Sequence, residues 1–257
     1  MTAMKLYSIP GSHPAAAARA MLEFKGIPYR RVDLPPVASR VLMRLLGFQG
    51  NRVPALKIDG RKVQGSRNVS RELDVLKADP PLFPTDPERR AAVEEAERWG
   101  DEEFQQMART ITWWALKRHK SDQASFLVDA GPMARLGMPT RIAVATSGPI
   151  LRIAIRLNDS TDDTVRATLA SLGPSLDEVD RLIAAGVIGG EQPNAADFQI
   201  GASVALLRAF DDVRDAIDDR PAAELARRLY PWYHGQVRAS FPPEWLEPLR
   251  ERANTPQ

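Results

Sequence analysis

The chain has 257 residues and a formal net charge of +2, and 44% of its residues are hydrophobic and 26% charged. This composition excludes disordered, collagen-like and low-complexity classes, and the length allows two domains of modest size. The chain contains no cysteine, which excludes disulfides, thiolate metal sites and a cysteine nucleophile. Any reactive sulfur must therefore come from a bound ligand.

The charges are unevenly distributed. Residues 1–80 carry 14 Lys/Arg against 6 Asp/Glu, whereas residues 81–257 carry 21 against 27. This asymmetry indicates an anionic ligand or charge complementarity between the two halves, and scattered solvated charges are the simpler interpretation. No dense basic stripe is interleaved with aromatic residues, so we expect no nucleic-acid partner. We also expect no membrane partner and a cytoplasmic location, because the sequence shows neither a long apolar run nor a basic-then-apolar leader.

The first 80 residues alternate strand and helix patterns in the order β-α-β-α-β-β-α. Pro14 is typical of a helix start and Gly26 of a helix end, and Asp59-Gly60 indicates a hairpin turn. The predicted strands are 5–9, 29–34, 55–58 and 62–64, and the predicted helices are 14–24, 37–46 and 66–77.

A proline-rich linker separates this α/β unit from the rest of the chain. Residues 79–87 contain four prolines, which cannot continue a helix and form a semi-rigid connection. Downstream we predict only helices, at 88–118, 123–136, 141–157, 164–185, 195–210, 222–239 and 244–252. The expected architecture is an α/β domain at 1–80 followed by an all-α domain at 87–257.

The most informative local motif is Val53-Pro54 at the start of a predicted strand. Proline is tolerated there because it lacks only the first ladder donor. A cis bond would leave the Val53 amide and carbonyl free to pair with an extended ligand. A trans bond would make Pro54 an ordinary first residue of the strand. The cis form is the less common of the two.

The order of elements over nearly the whole chain resembles the cytosolic glutathione transferase superfamily. The stretches that carry the resemblance are Lys5-Leu6-Tyr7-Ser8, Lys25-Gly26-Ile27-Pro28-Tyr29, Val53-Pro54-Ala55-Leu56-Lys57-Ile58-Asp59-Gly60 and Ser66. They are most similar to the serine-type zeta, tau and bacterial-type branches. The resemblance implies a thioredoxin-like domain, a C-terminal helical bundle, a homodimer and a role in detoxification.

A second match lies at residues 193–198, in the predicted helical domain. Asn194 is suited to cap a helix, and Asp197 three residues later reaches back to the cap backbone. The family carries a buried capping motif of this kind, so we interpret Asp197 as structural.

The resemblance places a catalytic residue just after the first strand, at Ser12. A hydroxyl there would donate to the glutathione sulfur and, with the helix dipole, lower the pKa of the thiol. Ser12 as a mere helix cap is the alternative. With the alignment shifted by one residue, His13 takes the catalytic position, and otherwise it is a surface or helix-start histidine. Tyr7 is more typical of a strand core.

The resemblance also implies a glutathione site. The Val53 backbone before Pro54 would pair with the cysteinyl part, Ser66 would bind the γ-glutamyl carboxylate, and Arg52 would meet the glycyl carboxylate. One feature departs from the family, because Gly65, with Gln64 before it, stands where an acidic residue or glutamine usually precedes the serine. The usual partner of the γ-glutamyl ammonium is missing, which admits another thiol or anionic ligand, or none.

An apolar substrate site is expected on the long helix that the family places opposite the thiol, with Met107, Trp113 and Trp114 as candidates. Core packing is the alternative for at least one tryptophan. Extra sequence at about 121–160 is either a lid over this site or a helical insertion packed on the bundle. We expect no metal site, because His119 and His234 lack partners at ligand spacing.

These observations predict an enzyme of the glutathione transferase type, with glutathione as co-substrate and a small electrophile as the second partner. Conjugation, thiol-dependent isomerisation, dehalogenation and ether cleavage would use the same residues. The alternative, favoured by Gly65, is a non-catalytic relative that binds a ligand or a partner.

Overall fold

A computed structural model describes residues 4–36, 38–128 and 130–253 of the chain. Four strands form one mixed sheet in the order β2-β1-β3-β4, in which β1 is parallel to β2 and antiparallel to β3. The elements are β1 (Met4–Ser8), α1 (His13–Phe24), β2 (Arg30–Asp33), α2 (Ser39–Leu45), β3 (Ala55–Ile58), β4 (Arg61–Gln64) and α3 (Ser66–Leu76). The predicted thioredoxin-like order is confirmed; residue 37, the predicted start of α2, lies outside the described residues.

The rest of the chain is largely helical, as predicted. A π-helical turn at Gly100–Phe104 joins α4 and α5, so the predicted helix 88–118 is one rod. None of the described helices combines the length and apolarity needed to cross a lipid bilayer. The helices are α4 (Pro87–Trp99), α5 (Gln105–Arg118), α6 (Thr140–Ala145), α7 (Gly148–Leu157), α8 (Asp162–Ala184), α9 (Ala195–Leu207), α10 (Asp211–Asp218), α11 (Pro221–Leu229) and α12 (Pro243–Ala253).

Three predicted helices are wrong in extent. Segment 123–136 forms two 3-10 stretches, Lys120–Leu127 and Pro132–Arg135, because Pro132 interrupts helical hydrogen bonding. Segment 141–157 is divided between α6 and α7, with a new helix start at Gly148-Pro149. The helix predicted for 222–239 ends at Leu229, since Pro231 disfavours helical geometry at the residue before it.

The helical part contains two further departures from the prediction. Helix α10 was absent from it, and the helix predicted to reach residue 210 ends at Leu207. Phe210 and Val237 form an isolated parallel β-bridge, so the described residues beyond 87 are not purely α-helical.

Ion pairs link the basic and acidic halves of the chain. Arg67 of α3 lies 2.9 Å from Glu102, and Arg71 pairs with the buried Glu97 of α4. Charge complementarity between the halves, one of the two interpretations of the charge asymmetry, is therefore realised where α3 meets α4 and the π turn.

Lys25 ties the end of α1 to the linker. Its side chain is fully buried, and its Nζ donates to the carbonyl oxygens of Lys77 (2.6 Å) and Pro80 (2.7 Å) and lies 3.2 Å from Asp74 Oδ1. The ammonium thus satisfies acceptors that would otherwise be buried without partners.

The predicted capping motif is confirmed at the start of α9, a helix whose residues are all buried. Asn194 Oδ1 accepts from the Asp197 amide, and Asp197 Oδ2 accepts from the Asn194 amide at 2.8 Å. Asp197 Oδ1 also accepts from the Gly189 amide at 2.6 Å. Both carboxylate oxygens of Asp197 therefore accept backbone hydrogen bonds, which agrees with the structural role that its sequence context predicts.

Candidate active site

The strand register brings three chain segments to one edge of the sheet. Tyr7 near the end of β1 pairs with Ala55 at the start of β3, and Ala55 pairs with Gln64 at the end of β4. The residues that follow β1, precede β3 and follow β4 therefore lie together. These are the segments that contain Ser12, Val53 and Ser66.

Ser12 occupies the N-cap position of α1, which begins at His13, one residue earlier than predicted. Its backbone is extended and its amide donates to the Ile9 carbonyl at 3.0 Å. Its side chain makes no capping hydrogen bond, so the hydroxyl is not committed to the helix. Ser12 is therefore the N-cap residue of the helix, as the alternative interpretation predicts, but its hydroxyl makes no capping hydrogen bond.

His13 is buried, with only 3% of its surface exposed, so a surface position is excluded. Burial, and then the positive charge of Arg109, lower the pKa of His13 well below its ordinary value, while the Gln105 backbone acts in the opposite direction. The imidazole is therefore neutral at pH 7. Its Nε2 atom is buried without a hydrogen-bond partner.

The loop before β3 contains the unpaired Val53 backbone and is fixed by the side chain of Gln64. The Val53–Pro54 bond is cis, and in the described residues neither the amide nor the carbonyl of Val53 forms a hydrogen bond. Gln64 accepts from the Gly50 amide at 2.8 Å and donates to the Arg52 carbonyl at 2.9 Å. The predicted ligand residue Gln64 thus uses its side chain to clamp this loop.

The start of α3 is also without a side-chain cap. Gly65 precedes it with φ of +87°, a conformation that favours glycine. The buried Ser66 hydroxyl lies 3.4 Å from Asp101 Oδ1 in the π turn. Gln105 donates to that same carboxylate oxygen at 3.0 Å and accepts from Gln199 at 3.0 Å. A polar chain therefore runs from the α3 N-terminus into the helical core.

Arg109 of α5 is half-buried and was not among the predicted site residues. It follows Asp101 and Gln105 at intervals of four along the same rod, a spacing that places the three on one face. Burial and then the neighbouring Arg52 charge lower the pKa of Arg109 to about 10, and Asp101 opposes this. Within the described ranges, no carboxylate lies within salt-bridge distance of its guanidinium. The spacing 101-105-109 is not distinctive in the sequence, because Glu102, Glu103 and Gln106 between these positions are also polar.

Two of the predicted substrate-site residues lie elsewhere. Trp114 is 1% exposed, donates from Nε1 to Asp162 at 2.7 Å and stacks on Phe241. Met107 accepts a hydrogen bond from Ser175 of α8 at 3.3 Å. Both belong to the helical core, because they face the other helices. Trp113 is half-buried and lies four residues beyond Arg109, hence on the Arg109 face.

Part of the extra sequence lies across the loop that precedes Ser12. We call Lys120–Leu127 the strap. A Cβ atom on Gly11 would lie 2.9 Å from the Phe126 Cβ, and the Tyr233 hydroxyl donates to the Gly11 carbonyl at 2.6 Å. The other part, α7, packs on α5. The insertion therefore covers the β1–α1 loop and also extends the bundle.

A small cavity of about 70 Å³ lies between the strap and the β1–α1 loop. Residues of β2 line it, and Ser66, Asp101 and Gln105 do not. Its polar lining includes Ser8, Ser12, Arg31, Asp33 and His234. Within the described ranges, no three His, Asp or Glu side chains are grouped as metal ligands.

The combined geometry suits an extended anionic ligand. Two helix N-termini without side-chain caps present backbone amides, the Val53 backbone is unpaired, and Arg52 and Arg109 add positive charge. Together with the fold, this defines a two-domain protein of thioredoxin-like fold with a cationic site where the sheet edge meets the helical domain.

Comparison with known proteins identifies the N-terminal domain. Residues 6–81 match the family model of the glutathione S-transferase N-terminal domain. No curated protein matches the chain in sequence. Residues 6–81 therefore carry a glutathione S-transferase N-terminal domain, and the rest of the chain shares the overall fold of solved glutathione S-transferases.

Solved structures share the fold at low sequence identity. A glutathione S-transferase from Rhodospirillum rubrum matches with a TM-score of 0.61 at 18% identity, over 95% of this chain and 99% of that one. The beta-etherase LigF from a Sphingobium strain matches with 0.56 at 19%, over 89% and 98%. A Methylobacterium radiotolerans glutathione S-transferase, solved in complex with glutathione sulfonate, matches with 0.54 at 20%, over 93% and 98%.

Proposed function

We propose that this protein is a glutathione transferase-type enzyme that uses the glutathione thiolate to attack a small electrophile. The observation that carries the proposal is the Ser12 hydroxyl, which is uncommitted at the start of α1 and lies at the same sheet edge as Val53 and Ser66. Domains at 1–80 and 87–257, homodimerisation and a cytoplasmic location are part of the proposal.

Different residues at the sheet edge bind different parts of the glutathione tripeptide. The Val53 backbone pairs with the cysteinyl part, and the α3 N-terminus with Ser66 binds the γ-glutamyl carboxylate. Asp101, placed 3.4 Å from Ser66, supplies the carboxylate for the γ-glutamyl ammonium that Gly65 lacks. Arg52 meets the glycyl carboxylate.

The N-terminal end of α1 activates the thiol of the bound glutathione. Glutathione supplies the nucleophilic sulfur that a chain without cysteine lacks. The Ser12 hydroxyl donates to that sulfur, and the helix N-terminus adds favourable electrostatics, so both lower the thiol pKa and raise the thiolate fraction at neutral pH. The beta-etherase and the glutathione sulfonate complex among the structural neighbours support thiol-dependent chemistry of this general kind.

The test combines glutathione titration calorimetry with a conjugation assay on 1-chloro-2,4-dinitrobenzene. Ser12→Ala should lower kcat/KM by about 10- to 100-fold, the effect of losing a hydrogen bond to a charged group. Ser12→Thr, which keeps the hydroxyl, and the neighbouring Ser8→Ala serve as controls. Failure of wild type to bind glutathione at millimolar concentration would overturn the proposal.

A non-catalytic ligand-binding protein is the second candidate. The observation that favours it is the strap, because Phe126 packs on Gly11 directly before Ser12. Glutathione binding without turnover of any electrophile, in wild type and in Phe126→Ala alike, would establish this second function.

A further inference from the structure

We infer that Phe126 of the strap limits the size of the electrophile, so that the proposed enzyme transfers small alkyl groups rather than aryl groups to the sulfur. Ser12 and Phe126 line the same small cavity. The size limit rests on the proposed function, since the thiolate of bound glutathione is taken to react beside Ser12.

The cavity offers room beside Ser12 for only a small group. Its volume is about 70 Å³, whereas an apolar cavity of about 150 Å³ holds one benzene molecule. On that scale it admits about three non-hydrogen atoms and excludes an aryl ring. Val53 and Ser66, which are proposed to bind the tripeptide, do not line it. The cavity is therefore available for the group that the sulfur attacks.

The lining of the cavity suits an uncharged group. It includes three aromatic side chains, those of Phe126, Trp232 and Tyr233. Two guanidinium groups also line it, and each has a carboxylate partner, because Arg31 lies 3.0 Å from Asp33 and Arg19 lies 2.8 Å from Glu23. An alkyl group thus meets aromatic surface and paired charges.

Phe126 packs between two glycines from distant parts of the chain. A Cβ atom on Gly11 would lie 2.9 Å from the Phe126 Cβ, and a Cβ atom on Gly235 would lie 2.8 Å from its Cζ. The ring of Tyr233 is also close, with its centroid 6.3 Å from that of Phe126. A side chain packed this closely has little room to turn away, so a larger group in the cavity meets a fixed wall.

The strap itself is tied to the segment that contains Gly235. The Gln236 amide donates to Ser125 Oγ at 3.0 Å, directly beside Phe126. Asp122 accepts from the Arg238 amide at 3.0 Å and from the Arg238 guanidinium at 2.9 Å. Displacement of Phe126 together with the strap would break these bonds, so the folded strap maintains the limit.

The binding test uses full-length protein and titration calorimetry with glutathione, S-methylglutathione and S-benzylglutathione. The two thioethers cannot react, and each carries its substituent on the sulfur, where the transferred group would lie. Wild type should bind the S-methyl compound at least about 10-fold more tightly than the S-benzyl compound, the scale of forcing extra atoms into a filled space. The glutathione affinity of each variant is its reference.

Phe126→Ala should abolish or reverse this preference, because it removes one phenyl ring from the wall and the S-benzyl probe supplies one. Phe126→Leu should give an intermediate ratio. Leu127→Ala is the matched control, since Leu127 belongs to the strap and does not line the cavity, and its ratio should equal that of wild type. Thermal unfolding of each variant establishes that it is folded.

The kinetic test compares iodomethane with 1-chloro-2,4-dinitrobenzene. In both reactions the carbon–sulfur bond forms as the carbon–halogen bond breaks, the halide leaves with the electron pair, and the thiol proton passes to solvent. The spontaneous rate is measured and subtracted. Phe126→Ala should raise kcat/KM for the aryl chloride at least about 10-fold relative to kcat/KM for iodomethane.

The outcomes separate the size limit from the proposed function. Binding of glutathione with equal affinity of wild type for the two thioethers overturns the size limit and leaves the proposed function standing. Failure of all three ligands to bind overturns the proposed function, and the size limit with it. A preference for the S-methyl compound that persists in Phe126→Ala and Phe126→Leu overturns the role of Phe126.

Discussion

Ser66 Oγ lies 3.4 Å from Asp101 Oδ1, which places a hydroxyl at the start of α3 against a carboxylate in the π turn of the helical domain. Short π segments inside α-helices are frequent at functional sites. Here the π turn contains Asp101, which lies at the start of α3. Gly100 in the same turn packs against Ile200 of the buried α9 at a distance that leaves no room for a Cβ. The carboxylate is thus held by a close helix contact.

Asp101→Asn tests the role of this carboxylate. The substitution keeps the size of the side chain and removes its charge, so the γ-glutamyl ammonium loses its counterion, and glutathione affinity should fall about 10-fold. Calorimetry measures the change. Glu102→Gln, which alters an exposed neighbour paired with Arg67 and Arg98, is the control, and an equal loss in both variants would contradict the assignment.

His13 should make stability depend on pH. Its pKa is lower in the folded state than the ordinary value of 6.5, so below about pH 6.5 the unfolded state binds more protons and the free energy of unfolding falls as the pH falls. The slope should reach about 1.4 kcal/mol per pH unit. Urea denaturation between pH 5 and pH 8 measures it. His13→Gln should lose this slope, and the exposed His234→Gln should keep it; identical slopes in all three proteins would refute the prediction.

Lys25→Met tests the buried contact between α1 and the linker. Removal of the ammonium takes the donor from the Lys77 and Pro80 carbonyls and leaves Asp74 Oδ1 with only the Leu82 amide, which should cost about 3 kcal/mol in the free energy of unfolding. Denaturant titration gives the value. The exposed Lys117→Met provides the comparison, and a loss no larger than in that variant would show that water replaces the lysine.

Gln64→Ala tests whether a residue can support the ligand without touching it. The change removes the bonds to the Gly50 amide and the Arg52 carbonyl, so the loop that presents Val53 loses its clamp. We expect a loss of about 1 kcal/mol in unfolding free energy and a several-fold weaker glutathione affinity. Gln106→Ala on α5 is the reference, and unchanged affinity in Gln64→Ala would disprove the role.

The parts of the site that could be predicted from sequence are those marked by their immediate neighbours. Val53 stands before a proline and a hairpin, and Ser66 follows a turn glycine at a helix start. Each of these signals consists of neighbouring residues in the sequence, so it can be recognised without knowing how the elements pack. The three-dimensional meeting of the segments then follows from the strand order alone.

The residues that were missed or misplaced depend on which side of a helix meets which neighbour. Arg109 and Trp114 lie five positions apart on α5, yet Arg109 is half-buried and forms no ion pair among the described residues, whereas Trp114 is buried in the core and stacks on Phe241. The helical period and the composition of α5 do not distinguish the face of Arg109 from the face of Trp114, because both faces contain large side chains. Only the packing of α5 against α7, α8 and α9 decides between them.

The polar row of Asp101, Gln105 and Arg109 has a consequence for protein engineering. Residues 1–80 provide the backbone and serine hydroxyls of the site, whereas these charges come from the other half of the chain. A chimera that receives only the first 80 residues of a protein of the same fold would therefore acquire the backbone contacts of that protein and its residue at position 52, and would keep Asp101, Gln105 and Arg109 of this one. Ligand preference can thus drift by substitutions on one helix while the thioredoxin-like half stays constant.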